Sequence, residues 1–148
     1  EVVIAGKVRG QVGEVDPAVL ASFGVDGPVA WFELDLGSVL RGPFGNRKYK
    51  PVSKYPSSDI DLAFEVPESV PAAAVEGSLR KGGGALLVGL ELFDVYRGPG
   101  VAEDSRSLAY RLRFQAPDRT LTDAEVAAAR STCISTVEKQ QAGAALRA

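Results

Sequence analysis

The sequence has 148 residues, 45% hydrophobic and 24% charged, with a formal net charge of −2, no His and a single Cys. A chain of this size and balance folds around a buried core; the lack of His excludes His-based acid–base catalysis, Ser–His and Cys–His nucleophile pairs and His-ligated metals. One Cys makes no intrachain disulfide, which fits a reducing cytoplasm; no apolar run reaches membrane length, and the near-neutral charge argues against tight binding of nucleic acid by bulk positive charge.

Val2, Ile4, Val8 and Val12, with Gly6, Gly10 and Gly13 between them, predict two short strands joined by a tight turn around Gly6 and Lys7. Asp16 before Pro17 is a helix start, a side-chain acceptor followed by a ring whose missing N–H is no loss in the first turn. The helix runs from Ala18 to Phe23 and Gly24 stops it. VAWFELDL after Pro28 predicts a further strand, and Gly37 to Leu40 a turn or a single helical turn. This packet is too small to bury its own faces, so the expectation is an αβ remnant of a larger domain. The opening EVVIAGKVRGQ, with neither an initiator Met nor signal-peptide regions, adds the expectation of a chain cut from something longer.

From Arg41 the breakers Gly42, Pro43, Gly45, Pro51 and Pro56 mark a boundary, with the remnant and linker in residues 1–46 and a second domain in 47–148. Arg47, Lys48, Lys50 and Lys54 interleave with Tyr49 and Tyr55. That pattern suits a phosphate backbone, or equally a solvated linker whose tyrosines pack on the next domain.

Ile60, Leu62, Phe64 and Val66 then alternate with Asp61, Ala63 and Glu65, the signature of a half-buried strand. Pro71 opens a helix through Lys81 that Gly82 to Gly84 end; a GGG that follows a helix reads as its stop and not as a phosphate cradle. Leu86 to Tyr96 is the next strand, closing on LFDVYRG. Period two puts Asp94 and Tyr96 on one face and Phe93 and Val95 on the other, so one face packs and one offers chemistry. After the loop RGPGVAEDSR, Leu108, Tyr110, Leu112 and Phe114 face inward and Ser107, Ala109, Arg111 and Arg113 outward. Thr122 and Glu125 form a capping box for a helix reaching about Gln141, in which Cys133 reads as core. Gly143 releases a last short strand ending in Leu146 and Arg147.

The order β-α-β-β-α-β predicts an α+β fold, a ferredoxin-like antiparallel sandwich with strand order 4-1-3-2 and both helices on one face. Such a scaffold serves RNA-recognition modules, small-molecule regulatory domains and small phosphatases, and names no function by itself.

YKPVSKYP, DLAFEVP, LFDVYRG, SLAYRLRF, RTLTDAEV and a closing LR, in this order and spacing, resemble the ferredoxin-fold anticodon-binding domain that closes the β subunit of bacterial phenylalanyl-tRNA synthetase. The resemblance covers about residues 49–148. Residues 1–40, with GKVRGQVGEVDP and WFELDL, resemble the end of that subunit's synthetase-like core, which carries no aminoacylation activity. The resemblance implies a role in translation in the cytoplasm, as part of phenylalanine–tRNA ligase. Its partners there are phenylalanine tRNA, held by the anticodon loop, and an α subunit that activates phenylalanine with ATP and Mg²⁺ in an α2β2 assembly. Within this chain it implies no catalytic residue, no cofactor and no metal.

The implied anticodon contacts are Asp94, Tyr96 and Ser107. Their chemistry agrees, since an unstacked base can lie on a Tyr ring and a carboxylate can accept from a guanine Watson–Crick edge. Arg97, Arg111 and Arg113 are candidate phosphate contacts by position. One departure stands out: family members commonly carry a basic residue where this chain has Ile60, and Lys54 or the arginine pair of the third strand is the candidate replacement. Other readings remain open on the residues alone. Asp94, Tyr96 and Arg97 also suit a turn-capping cluster. A small-molecule regulatory domain of the same topology needs a ligand loop after the first strand, for which VPESVP is poor; an acyl-phosphate hydrolase needs an Arg there, and it has none.

Overall fold

Alternation and capping residues account for nearly every element of the structure, a computed structural model that describes residues 1–41, 49 and 52–147. The chain divides into two units, Glu1–Lys50 and Pro51–Ala148. The boundary expected between residues 46 and 47, and the basic residues Arg47, Lys48 and Lys50, lie outside the described residues.

In the first unit β1 (Val2–Ile4) and β2 (Lys7–Glu14) form a hairpin, and β2 pairs antiparallel with β3 (Ala30–Leu34). Ala5 and Gly6 both have positive φ, 52° and 73°, the backbone of a two-residue turn whose twist matches the strands it joins. Helix α1 (Pro17–Ser22) is capped by Asp16, whose Oδ1 accepts from the Ala18 amide at 2.7 Å, and α2 (Leu36–Leu40) by Asp35. Among the described residues of this unit none is buried, and Phe23, Phe32 and Leu40 are largely exposed.

The second unit runs β4 (Ser58–Pro67), α3 (Ala72–Gly83), β5 (Leu87–Tyr96), β6 (Ser105–Phe114), α4 (Asp123–Gln140) and β7 (Ala145–Leu146). Its sheet has the order β5-β6-β4-β7 with every pair antiparallel, which is the expected 4-1-3-2. Leu62, Phe64 and Val66 of β4 and Leu108, Tyr110, Leu112 and Phe114 of β6 are buried against Val75 and Leu79 of α3 and Cys133 and Val137 of α4. Full burial of each large apolar side chain contributes ~1.5–3 kcal/mol, so this cluster holds the sheet to its helices. Burial pushes the Cys133 thiol up to about 11, in keeping with its place in the core. Tyr110 fits there because its hydroxyl donates to the Ala72 carbonyl at 3.1 Å; burial raises its pKa to about 12.

The glycine run serves two structural ends. A Cβ at Gly82 would lie 2.8 Å from Cys133 Cα, so α3 and α4 approach closely there, and Gly84 caps α3 at φ 56°. The capping box forms as the sequence predicts, Thr122 Oγ1 accepting from the Glu125 amide and Glu125 Oε2 from the Thr122 amide.

Strand β5 departs from strict alternation. Leu92 pairs with Tyr110 but Asp94 with Ala109, which leaves Phe93 as the extra residue of a bulge, a device common on edge strands. The Phe93 ring therefore lies on the solvent face under the Arg111 guanidinium, 5.1 Å from its centroid, and not with Val95 as period two predicts. No helix among the described residues is long and apolar enough to cross a membrane.

Candidate nucleic-acid interface

Because α3 and α4 cover one face of the sheet, the side chains on the other face are read in cross-strand rows. Directly opposed residues on antiparallel strands share a face with Cβ atoms ~4.5–5.5 Å apart. Tyr96 opposes Ser107, which opposes Glu65; Asp94 opposes Ala109, which opposes Ala63. Glu91 opposes Arg111 and Arg111 opposes Asp61; Gly89 opposes Arg113 and Arg113 opposes Asp59. The bulge at Phe93 leaves Asp94 and Tyr96 on one face, so the structure brings Asp94, Tyr96 and Ser107 together as expected.

At this end of the sheet the Asp94 carboxylate and the Tyr96 ring are exposed, whereas Ser107 is buried, only 5% exposed. Ala63 and Ala109 are the small residues in the row of Asp94. Among the described residues the Asp94 carboxylate has no hydrogen-bond or ion-pair partner, whereas Tyr96 is fixed. Its hydroxyl donates to the Pro99 carbonyl at 3.2 Å, and a Cβ on Gly98 would come within 2.8 Å of that hydroxyl. The Arg147 guanidinium lies 5.3 Å from the Tyr96 ring centroid, within cation–π range. Arg147 reaches the ring from beyond β7, where its amide donates to the Ala63 carbonyl. Sequence reasoning missed Arg147, Ala63 and Ala109 as parts of this site; the period-two pattern of β4 and β6 carried the signal for both alanines.

The arginines singled out from the sequence are engaged differently. Arg111 donates from Nε and Nη2 to both oxygens of Asp61, at 3.0 and 2.9 Å, and Arg113 in the same way to Asp59, at 2.8 and 2.6 Å. Those hydrogen bonds hold both aspartates below the usual carboxylate range and raise both guanidinium pKa values. The pairs are about half exposed, and exposed pairs of this kind are weak. A phosphate approaching either fork competes with a carboxylate already seated there. Arg97, just past β5, is bound by Glu68. Lys54 is not brought to the cluster. Ser53 Oγ donates to the Ala116 carbonyl and Gln115 Nε2 to the Tyr55 carbonyl, so Lys54 lies at the far end of β6. About eight residues of strand, ~27 Å, separate that end from Ser107. Ile60 is half-buried and packs on the core, offering nothing to the open face.

Comparison with known proteins places this architecture. Residues 53–147 match the ferredoxin-fold anticodon binding domain. The chain belongs to that family. Residues 1–36 match the phenylalanyl tRNA synthetase beta chain CLM domain. Among curated proteins the chain is similar to the phenylalanine–tRNA ligase beta subunit of Moorella thermoacetica, 45% identical over 145 residues that cover 95% of this chain and 17% of that one. It is 44% identical over 148 residues to the beta subunit of Nocardia farcinica, covering 99% and 17%. With that of Geobacillus kaustophilus the identity is 39% over 147 residues, covering 99% and 18%. The chain thus spans about a sixth of the length of these relatives. The open sheet face described above belongs to the anticodon-binding domain, and the family match lends no support to a small-molecule regulatory module.

Proposed function

We propose that the Asp94–Tyr96–Ser107 end of the open sheet face reads a base of the phenylalanine tRNA anticodon loop, as the last domain of a phenylalanine–tRNA ligase β subunit. The observation that carries this is the exposed Asp94 carboxylate, without a hydrogen-bond or ion-pair partner among the described residues, beside a Tyr96 ring held through its hydroxyl, on the sheet face opposite α3 and α4. Tyr96 supplies a stacking surface, and Asp94 an acceptor for the N1–H and exocyclic amino group of guanine. The Asp94 carboxylate itself suits the donors of a base edge and not a phosphate, while Arg147 beside the ring supplies the cluster's cation. In this reading the complete enzyme is a cytoplasmic α2β2 ligase, the α subunit holds ATP and Mg²⁺, and this chain contributes tRNA binding without catalytic residues, cofactor or metal.

Inosine tests the contact, because it lacks the exocyclic amino group of guanine and is otherwise the same base. Replacing the recognised guanine by inosine in an anticodon stem-loop is expected to weaken binding by on the order of tenfold, the worth of a hydrogen bond to a charged acceptor. In Asp94→Asn that difference is expected to shrink severalfold. A variant that still prefers guanine as strongly as the wild type would remove Asp94 from the site.

A further inference from the structure

The VPESVP turn after β4, unsuited to a ligand loop, contributes the side chain that ties the two sides of the base site together. Glu68 accepts from Nε and Nη2 of Arg97 and, at 2.7 Å, from Nη1 of Arg106, while its own amide donates to the Asp104 carbonyl at 2.9 Å. Arg97 is the residue after Tyr96, and Arg106 the residue before Ser107. One carboxylate thus bridges the neighbours of the ring and of the hydroxyl.

The Arg106 side chain is only 16% exposed, its Nη2 donates to the Val70 carbonyl, and its buried Nε has no partner among the described residues. Among the described residues Glu68 is the only carboxylate paired with it. The loop between the two strands is held by the same region of β4, since Glu65 Oε1 accepts from the Ala102 amide at 3.1 Å. Within the loop, the Val101 amide donates to Gly98 and the Ser105 amide to Ala102. Pro99, which receives the Tyr96 hydroxyl, sits inside this framework.

We propose that Glu68 is a positioning residue for base reading: by clamping Arg97 and Arg106 it sets the gap between Tyr96 and Ser107 and keeps both cations away from RNA phosphate. This rests on the reading of Asp94, Tyr96 and Ser107 as the base site. Without the carboxylate, two guanidiniums repel each other where one paired cluster stood, and the two ends of the loop, beside Arg97 and Arg106, lose the bridge between them, which leaves the loop on its Glu65–Ala102 and backbone Glu68–Asp104 bonds. Base discrimination then falls while salt-sensitive, sequence-blind attraction rises.

The test uses the full chain carrying Glu68→Gln in two arms. Without RNA, hydrogen exchange at the Ala102 and Ser105 amides is expected to quicken by about tenfold or more as the loop opens locally. With RNA, the preference for the guanine stem-loop over its inosine counterpart is expected to fall at least threefold, and the salt dependence to steepen by up to about 0.7 in slope per released cation. A purely structural role would lower the melting temperature without moving that preference. Should Glu68→Gln fail to fold, Arg97→Gln cuts only the exposed arm of the clamp and is expected to lower the preference in the same direction. Unchanged loop exchange overturns the proposal, and so does a loosened loop with an unchanged guanine preference. A wild-type chain that binds both stem-loops equally overturns the base-site reading and the proposal with it; that failure is told apart because it occurs before any substitution is made.

Discussion

At the Phe114 end of β6, Arg111 and Arg113 are each held in a two-point grip by an aspartate of β4, whereas at the Ser107 end Asp94 has no partner among the described residues and stands beside a ring held through its hydroxyl by Pro99 and contacted by Arg147. Both ends belong to one strand, one face and one sheet. The difference is register: β4 places Asp59 and Asp61 opposite the arginines, and Ala63 opposite the row of Asp94. A count of charges along the chain assigns phosphate binding to the arginines. A count of charges with open hydrogen-bonding capacity among the described residues instead singles out Asp94, with Arg147 beside it at the Tyr96 ring, and sets aside the arginine end, whose cations are already paired.

The largest test of this contrast is Tyr96→Ala. Loss of a stacked base is expected to weaken anticodon stem-loop binding by ~1–3 kcal/mol, roughly fivefold to 150-fold, with little change in salt slope. Arg111→Ala is expected to change affinity less and to lower the slope by under one unit, because the Asp61 carboxylate left behind cancels part of what the cation offered. Equal losses from the two substitutions, measured across a salt series, would erase the distinction between the two ends.

A smaller effect of opposite sign sharpens it. Asp61→Asn and Asp59→Asn release the guanidinium forks without removing them. Each is expected to tighten stem-loop binding at low salt and to steepen the salt slope by up to about 0.7, while the guanine-to-inosine ratio stays unchanged or falls. Weaker binding at low salt would mean that the aspartates themselves touch RNA.

The legible and illegible parts of this molecule divide along the same line. Strand β4 could be read because its apolar residues recur at period two over its whole length, and α4 because its capping box is local to four residues. The gathering of Asp94, Tyr96 and Ser107 was legible because it needs only parity and one hairpin. The bulge at Phe93 was not, since a bulge is a mismatch between two strands and leaves no mark in either one alone. The pairing of Arg111 and Arg113 depends on residues about fifty positions away, so their availability to phosphate could not be judged from their own strand. Arg147 escaped notice because its contact with Tyr96 spans the width of the sheet, from β7 to β5. Lys54 was chosen from a basic stretch, and only the contacts of its neighbours with the end of β6 show that it lies remote from the cluster.

The smallest test reads the paired end through acid. Hydrogen bonds from Arg113 and Arg111 hold Asp59 and Asp61 below their ordinary 3.8, and the Thr122 amide, with Arg119, holds Glu125 down to about 2 from 4.5. A carboxylate depressed in the folded state contributes stability that is fully present above its unfolded value and is lost as pH falls through its folded value. The urea midpoint is therefore expected to be level above about pH 4.5 and to decline toward pH 2, with no step between pH 5 and 7 because the chain has no His. Glu125→Gln, which still closes the capping box but does not titrate, should flatten that decline over its whole span from about pH 4.5 to pH 2. Asp59→Asn together with Asp61→Asn should flatten only the part below 3.8. If the double substitution leaves that lower part unaltered, the arginine grips are not formed in solution, Arg111 and Arg113 are open to phosphate, and the two ends of the face differ less than their geometry indicates.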